Sequence, residues 1–453
     1  MADVILKAVR IGLLDLPNEL LMLIVIHDHR SIESPRVQKP VAFLWQGICR
    51  RLYAICRAAG EIWAHITDIY NFPLTSIAVE RSGAHLLTLD LGPPSGALAD
   101  WRHGMAILEP HHHRVQTIRV DYTGFDESED NMDIIPPWHL PFLYGDWTAL
   151  ETFEFSNYWF DALFSKDSFF CEPPASWRKL ALRDCSLRDP FHVFQVPLTH
   201  LRLERCDLHC GLVDFIRLIN SLPTLTSLAL IDTFGEEGVG IEETTVTRPE
   251  PGVHLPHLLQ LELDAAFERV IFIASGLEVP DCCAVSMRMA TPRSNQLPAS
   301  YVPDALDRAF SSRLTKAFQG IDADASPQGC HMVFGDHDDL VGVSIELSAR
   351  FGGQGERRHF LLSLRPTPAS PTWPELPSIV GRILSWDPFS AVTFFRGVRV
   401  PLEGNMWQQI LQKMPILRCL QADFAVAGLD TALTAVSGSV PTGRLTEVVL
   451  NSV

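Results

Sequence analysis

No stretch of this chain offers the roughly 18 uninterrupted apolar residues that a membrane-spanning helix requires. The most apolar run, "LLDLPNELLMLIVI" at residues 13–26, is too short and carries Asp15 and Glu19. The first residues, "MADVILKAVRIG", lack a basic start leading into a long apolar core and a small-residue cleavage site. Positive charge is scarce, with 37 Lys and Arg against 54 Asp and Glu, a formal net charge of −17. Phosphate backbones demand a cationic face, so nucleic acid is not the expected main partner. These absences predict a chain with no membrane span, located in the cytoplasm or nucleus and not secreted.

Paired metal ligands are missing too. The ten cysteines include no CxxC pair. Cys49, Cys56, Cys185, Cys206 and Cys210 sit among apolar residues, the pattern of reduced thiols acting as small core side chains. A zinc site through Cys206, His209 and Cys210 is the sharper alternative, but it lacks the second ligand pair of structural zinc sites. There is no GxSxG, no HExxH and no GxxxxGK. "HHH" at 111–113 reads as an exposed turn, because adjacent histidines point in different directions. "DESEDNMD" at 126–133 lacks the turn glycine of a calcium loop. "DHDD" at 336–339 likewise reads as a solvated acidic loop, and "FGGQGERR" at 351–358 has glycines without a strand–turn–helix context. No cofactor, no metal and no enzymatic activity are expected.

What the chain does hold is apolar bulk. Its 453 residues are 47% hydrophobic and 20% charged, ample for a large core in two or three domains or in one repeat array. The run at 13–26 reads as a helix. Asp15 is placed to cap it, Pro17 suits its first turn, and Leu16, Leu20, Leu23 and Ile24 recur at helical spacing. Leu21, Val25 and Ile26 make the helix apolar nearly all round, so it must be covered on more than one side. "HDHRSIESPRVQKP" at 27–40 reads as a loop. A longer amphipathic helix is expected over Val41–Gly60, with Val41, Leu44, Trp45, Ile48, Leu52, Ile55 and Cys56 on one face and Gly60 as terminator. "EIWAHI" then adds Ile62, Trp63 and Ile66. This unit of roughly 65 residues is marginal alone. It either caps a larger domain or buries its excess apolar surface in a partner.

The order "LPNELL", then "ICRRLYAI", then "EIWAHI" resembles the F-box of large fungal families, whose pattern runs LPxELLxxIF, a loop, VCRxWRxIA and PxLWxxI. The matches are Leu16, Pro17, Glu19, Leu20, Leu21 and Ile24, then Cys49, Arg50, Arg51, Ile55, Trp63 and Ile66. Leu52 stands where the family usually has tryptophan, and Gly60 where it usually has proline. "VERSGAHLLTLDL", which follows, also resembles those families. The resemblance implies docking on the Skp-type adaptor protein of a cullin–RING ubiquitin ligase. It implies adaptor-binding roles for Leu16, Pro17, Leu20, Leu21, Ile24, Cys49 and Trp63.

Beyond residue 80 a pattern of apolar, two residues, apolar, one residue, apolar recurs. It starts at Leu86, Val115, Leu150, Trp177, Leu198, Leu225 and Leu258, at intervals of about 21 to 35 residues. Weaker copies lie around Val285, at Leu417 and at Leu445. The interval is that of leucine-rich repeats with insertions. The last two apolar positions share one face of a strand, and a single copy cannot bury that face alone. "LALRDCSL" and "LRLERCDL" continue the unit with Cys185 and Cys206, which accounts for these thiols without metal. "GLVDFIRLINSLP" and "MWQQILQKMPILRCL" supply helices between strands.

The expected architecture is therefore α/β. A small N-terminal helical F-box at residues 1–70 precedes an irregular leucine-rich-repeat α/β solenoid at 71–453. The array is less regular at about 290–390, where the strand-like pieces are His359–Leu364 and Ala391–Val400. An open parallel sheet in one compact domain is the alternative. The expected function is a non-enzymatic substrate receptor that recruits an unidentified protein target. A repeat scaffold whose N-terminal helices only cap the array, and a hydrolase or metal enzyme, are the other readings.

Overall fold

The computed structural model describes residues 15–31, 45–67, 72–91, 98–121, 147–156, 173–187, 193–233, 252–290, 301–311, 314–315, 329–337, 340–351, 356–365, 376–398, 404–423 and 447–451. The chain divides into two compact units, Met1–Val196 and Pro197–Val453. Within the first unit the N-terminal helices run straight into a sheet. The Thr88 N–H donates to the Ala64 carbonyl across the join (2.9 Å).

The first unit opens with α1 (Asn18–Ser31), α2 (Arg50–Ala58) and α3 (Gly60–Trp63), and continues through α4 (Phe72–Ser82) and α5 (Leu98–Leu108). Its strands β1 (His65–Thr67), β2 (Leu87–Leu91), β3 (Val115–Asp121), β4 (Thr152–Ser156) and β5 (Lys179–Arg183) pair in chain order, all parallel.

The second unit carries β6 (His200–Glu204), β7 (Ser227–Ile231), β8 (Gln260–Ala266), β9 (Ala284–Ala290), β10 (Gly329–His337), β11 (Leu340–Phe351), β12 (Glu356–Arg365), β13 (Phe394–Val398), β14 (Cys419–Asp423) and β15 (Glu447–Asn451). They form a ten-stranded, mostly parallel order β6-β7-β8-β9-β12-β11-β10-β13-β14-β15. Its helices are α6 (Leu212–Asn220), α7 (Phe267–Gly276), α8 (Tyr301–Leu306), α9 (Leu376–Leu384) and α10 (Gly404–Lys413).

The recurring apolar motif forms the same local structure in several described copies. Its first residue closes a turn onto the carbonyl three residues back, as in Leu150 to Trp147 (3.1 Å), Leu225 to Leu222 (3.1 Å), Leu258 to Leu255 (3.2 Å) and Leu417 to Met414 (3.1 Å). The next residues then donate twice to one carbonyl of the preceding strand. Arg178 and Lys179 share Glu151, Thr226 and Ser227 share Thr199, and Arg418 and Cys419 share Thr393. The last two motif positions are buried on β2 through β8, from Leu89 and Leu91 to Leu261 and Leu263. Three strands are each followed by a residue in the left-handed region: Asp184 (φ 54°), Arg205 (φ 48°) and Asp232 (φ 47°). The residue after each turns its side chain back to the strand. Cys185 Sγ donates to the Arg183 carbonyl (3.1 Å), Cys206 Sγ to Glu204 (3.4 Å) and Thr233 Oγ1 to Ile231 (3.3 Å).

Several expectations are corrected. In the first copy the buried residue is Leu87, with Leu86 exposed, because a register irregularity between Leu87 and Thr88 shifts the strand entry. α1 continues through His27 to Ser31 where a loop was expected. The expected helix over Val41–Gly60 is broken at Cys49 (φ −159°), which caps α2, and it ends at Ala58; residues 41–44 lie outside the described residues. The irregular middle contains a long antiparallel pair, β10 and β11, inserted into the parallel order. The acidic segment expected as loop there supplies part of β10. The strand pieces expected at His359–Leu364 and Ala391–Val400 coincide with β12 and, in part, with β13; residues 399–400 lie outside the described residues. Leu445 and the acidic loop 126–133 lie outside the described residues.

Candidate partner surface

α1 begins where the Pro17 carbonyl accepts the Leu21 N–H (3.1 Å). Proline has no N–H to satisfy at this position, so it costs the helix nothing. Arg51 on α2 staples this end. Its Nε donates to Asn18 Oδ1 (2.7 Å) and its Nη2 to the Leu16 carbonyl (2.5 Å). Cys49 Sγ accepts the Leu52 N–H (3.5 Å), a weak sulfur cap on the first turn of α2. α1 packs on α2 and α3, and the interior of this cluster is built from Leu21, Val25, Leu52, Ile55, Cys56 and Ile62. Leu52 is fully buried, so a core position fills where the fungal pattern carries tryptophan. Burial also pushes the Cys56 thiol up to about 11.

Trp63 closes the cluster from inside. Its Nε1 donates to the Cys56 carbonyl (2.6 Å), and the Arg81 guanidinium lies 4.5 Å over its ring. It is 2% exposed and Leu21 is 1% exposed. Both residues, expected as adaptor-binding, line the interior of the cluster. Of the other expected residues, Pro17 and Leu20 are exposed, while Leu16, Ile24 and Cys49 are half-buried. What remains outside is a set of large apolar side chains: Leu20 (45% exposed), Leu23 (58%), Ile48 (59%) and Tyr53 (43%). Leu23, Ile48 and Tyr53 were not among the expected site residues. The available signal was the all-round apolarity of α1. Leu21 and Val25 at i, i+4 take the inner side, leaving Leu20 and Leu23 at i, i+3 on another.

The solvent side of the strands is a second candidate surface. In the first unit Asp90 on β2 hydrogen-bonds His65 Nε2 on β1, Arg119 Nη1 lies 3.5 Å from Asp90, and Arg119 Nε donates to Glu154 on β4 (3.1 Å). In the second unit Arg202 on β6 reaches Glu262 on β8 (3.4 Å) across β7, where the register places the small Ala229 between them. Arg288 then meets Glu262 (3.5 Å) and Asp264 (3.7 Å). These rows alternate in sign across the strands.

Among the described residues the candidate metal ligands do not come together. Cys206 is buried with its Sγ on its own backbone, and His209 pairs with Asp207 (3.6 Å). His111 Nδ1 lies 3.4 Å from Arg114 Nη1, while the His112 ring lies tilted by 42° with its centroid 4.5 Å from that of Trp147. Among the described residues no group of three or more His, Cys, Asp or Glu is placed to hold a metal ion. "FGGQGERR" belongs to the strands β11 and β12 on either side of residues 352–355, which lie outside the described residues. No described helix is long and apolar enough to cross a membrane. No protein-family model matches the chain, and no curated protein matches it in sequence.

Proposed function

We propose that this chain is the substrate-receptor subunit of a Skp–cullin–F-box ubiquitin ligase, acting in the cytoplasm or nucleus. The helical cluster docks a Skp-type adaptor, and the strand array, wound as an α/β solenoid, recruits a protein target. The observation that carries this reading is the exposure of Leu20, Leu23, Ile48 and Tyr53 on α1, α2 and the turn before α2. Four large apolar side chains left in water on one small helical cluster support an interaction surface there. The chain contributes proximity, raising the local concentration of target lysines, and the chemistry belongs to the other subunits.

One observation favours a second reading, a repeat scaffold unconnected with ubiquitin. Trp63 and Leu21 are turned inward, and Ala64 feeds directly into β1, as expected of helices that cap a sheet. A pull-down with a purified Skp-type adaptor separates the two. The intact chain is expected to bind, and Leu20→Asp with Leu23→Asp is expected to abolish binding while leaving the circular dichroism spectrum unchanged. A folded, intact chain that does not bind leaves the scaffold reading.

A further inference from the structure

α4 ends at Ser82, and Gly83 in the left-handed region (φ 57°) turns the chain out of the helix. The turn Glu109–Arg114, which leads into β3, lies against this end, and Arg114 joins the two. Its Nη2 donates to Ser82 Oγ (2.9 Å) and to the His85 carbonyl (2.8 Å), and its Nη1 lies 3.4 Å from His111 Nδ1. Cations favour the C-terminal end of a helix, where carbonyls collect partial negative charge. That accounts for Arg114 and leaves its neighbours unexplained. Arg81, in the last turn of α4, lies over the Trp63 ring and keeps a buried Nη1 without a hydrogen-bond partner. His85 and His113 are exposed. Among the described residues no carboxylate pairs with Arg81, His85, His111, His113 or Arg114. Glu80 and Glu109, the nearest along the chain, are exposed and bonded to none of them. Burial, then Arg114 and His113 hold the His111 imidazole low, and no carboxylate opposes them.

We propose that the corner formed by the end of α4 and the turn before β3, carrying Arg81, His85, His111, His113 and Arg114, is a docking surface for a carboxylate-rich protein segment. The chain has a net charge of −17, so most of its surface repels an acidic segment and this corner attracts one. The groups come from two elements, and His85, His111 and His113 are imidazoles that carry charge only when protonated. Such a set suits a row of separate carboxylates. A nucleic-acid backbone needs denser fixed positive charge to overcome the overall repulsion. Histidine takes up its proton near neutral pH, so the attraction strengthens as pH falls, while carboxylates stay ionised down to about pH 5. The inference goes beyond the adaptor reading and does not depend on it.

The test is fluorescence anisotropy of a labelled octaglutamate peptide titrated with the full chain at about pH 6.0 and about pH 7.5. An uncharged octapeptide and a single-stranded DNA octamer are titrated beside it. Octaglutamate is expected to bind, at least about threefold tighter at the lower pH, and to weaken with added salt. His85→Gln together with His113→Gln removes neither of the side chains that meet in the Arg114 contacts. That pair should weaken binding about threefold or more at the lower pH and remove most of the pH dependence. Arg81→Gln should weaken it at both pH values. Arg217→Gln, on α6 in the second unit, keeps the parent's affinity. Unchanged circular dichroism shows that each variant is folded. The proposal is overturned if octaglutamate binds no better than the uncharged peptide, or if the histidine pair binds as the parent does. It is also overturned if Arg217→Gln weakens binding equally, or if the DNA octamer binds more tightly at the same salt, which would assign the corner to nucleic acid.

Discussion

Gly60 lies directly against His85: a β-carbon at Gly60 would sit 2.7 Å from His85 Cδ2 and 3.2 Å from the Arg81 carbonyl oxygen. The glycine was expected to terminate a helix. In the structure α2 ends at Ala58 with Ala59 as its C-cap, and Gly60 opens α3. It is needed for close approach between α3 and the end of α4. Gly60→Ala is therefore expected to cost about 1–3 kcal/mol in denaturant unfolding, as overpacking does. Adding His85→Ala should recover part of the loss, because the ring can be removed and the Arg81 backbone cannot. Equal losses with and without His85 would show that the ring is not the obstacle.

The motif reading makes a sharp contrast on one strand. Leu201 and Leu203 of β6 are fully buried, and Arg202 between them is half exposed. Leu201→Ala and Leu203→Ala are each expected to cost about 2–5 kcal/mol. Arg202→Ala, which removes surface pairs to Glu204 and Glu262, should cost about 0.2–1 kcal/mol. Urea unfolding of the three variants decides it, and similar costs at all three positions would mean the strand face is misassigned.

Acid sensitivity should localise to His111. Burial, then Arg114, then His113 hold its imidazole below the ordinary histidine value. The unfolded chain therefore takes up this proton more readily than the folded one. Stability from this group falls as pH drops through about 6.5, the unperturbed value, and the loss is complete only below the folded value. Between about pH 7.5 and about pH 5.5 the thermal midpoint of the parent should fall more than that of His111→Gln. Parallel falls would remove His111 as the cause.

Thiol reactivity provides a map independent of stability. Cys282 is exposed, whereas burial pushes Cys56 up to about 11, and burial together with Asp214 does the same to Cys210. Alkylation of the native protein at about pH 8 should label Cys282 well before Cys56 or Cys210, since the thiolate is the reacting form. Mass spectrometry of the labelled peptides reads the order. Early labelling of Cys56 would mean that the helical cluster opens readily.

Much of the strand array was legible in the sequence. In "LTHLRL" and "LTSLAL" the apolar spacing is local, and the strand period of two allows one allocation to the interior. The slip at Leu86 and Leu87 came from a register shift that no local pattern records. The helical cluster was legible as helices but not as faces. Leu20, Leu21, Leu23 and Val25 are chemically alike, and on a helix apolar nearly all round nothing local says which side a neighbour will cover.

The sequence by itself determined where the motif strands lie and which leucines fill their core, because that information repeats every second residue along one segment. Only the tertiary structure decided that Trp63 turns inward while Leu23 and Ile48 stay in water, and that β10 and β11 pair antiparallel within a mostly parallel order. Burial depends on what packs from elsewhere in the chain, and register is set by hydrogen bonds between segments that the sequence keeps apart.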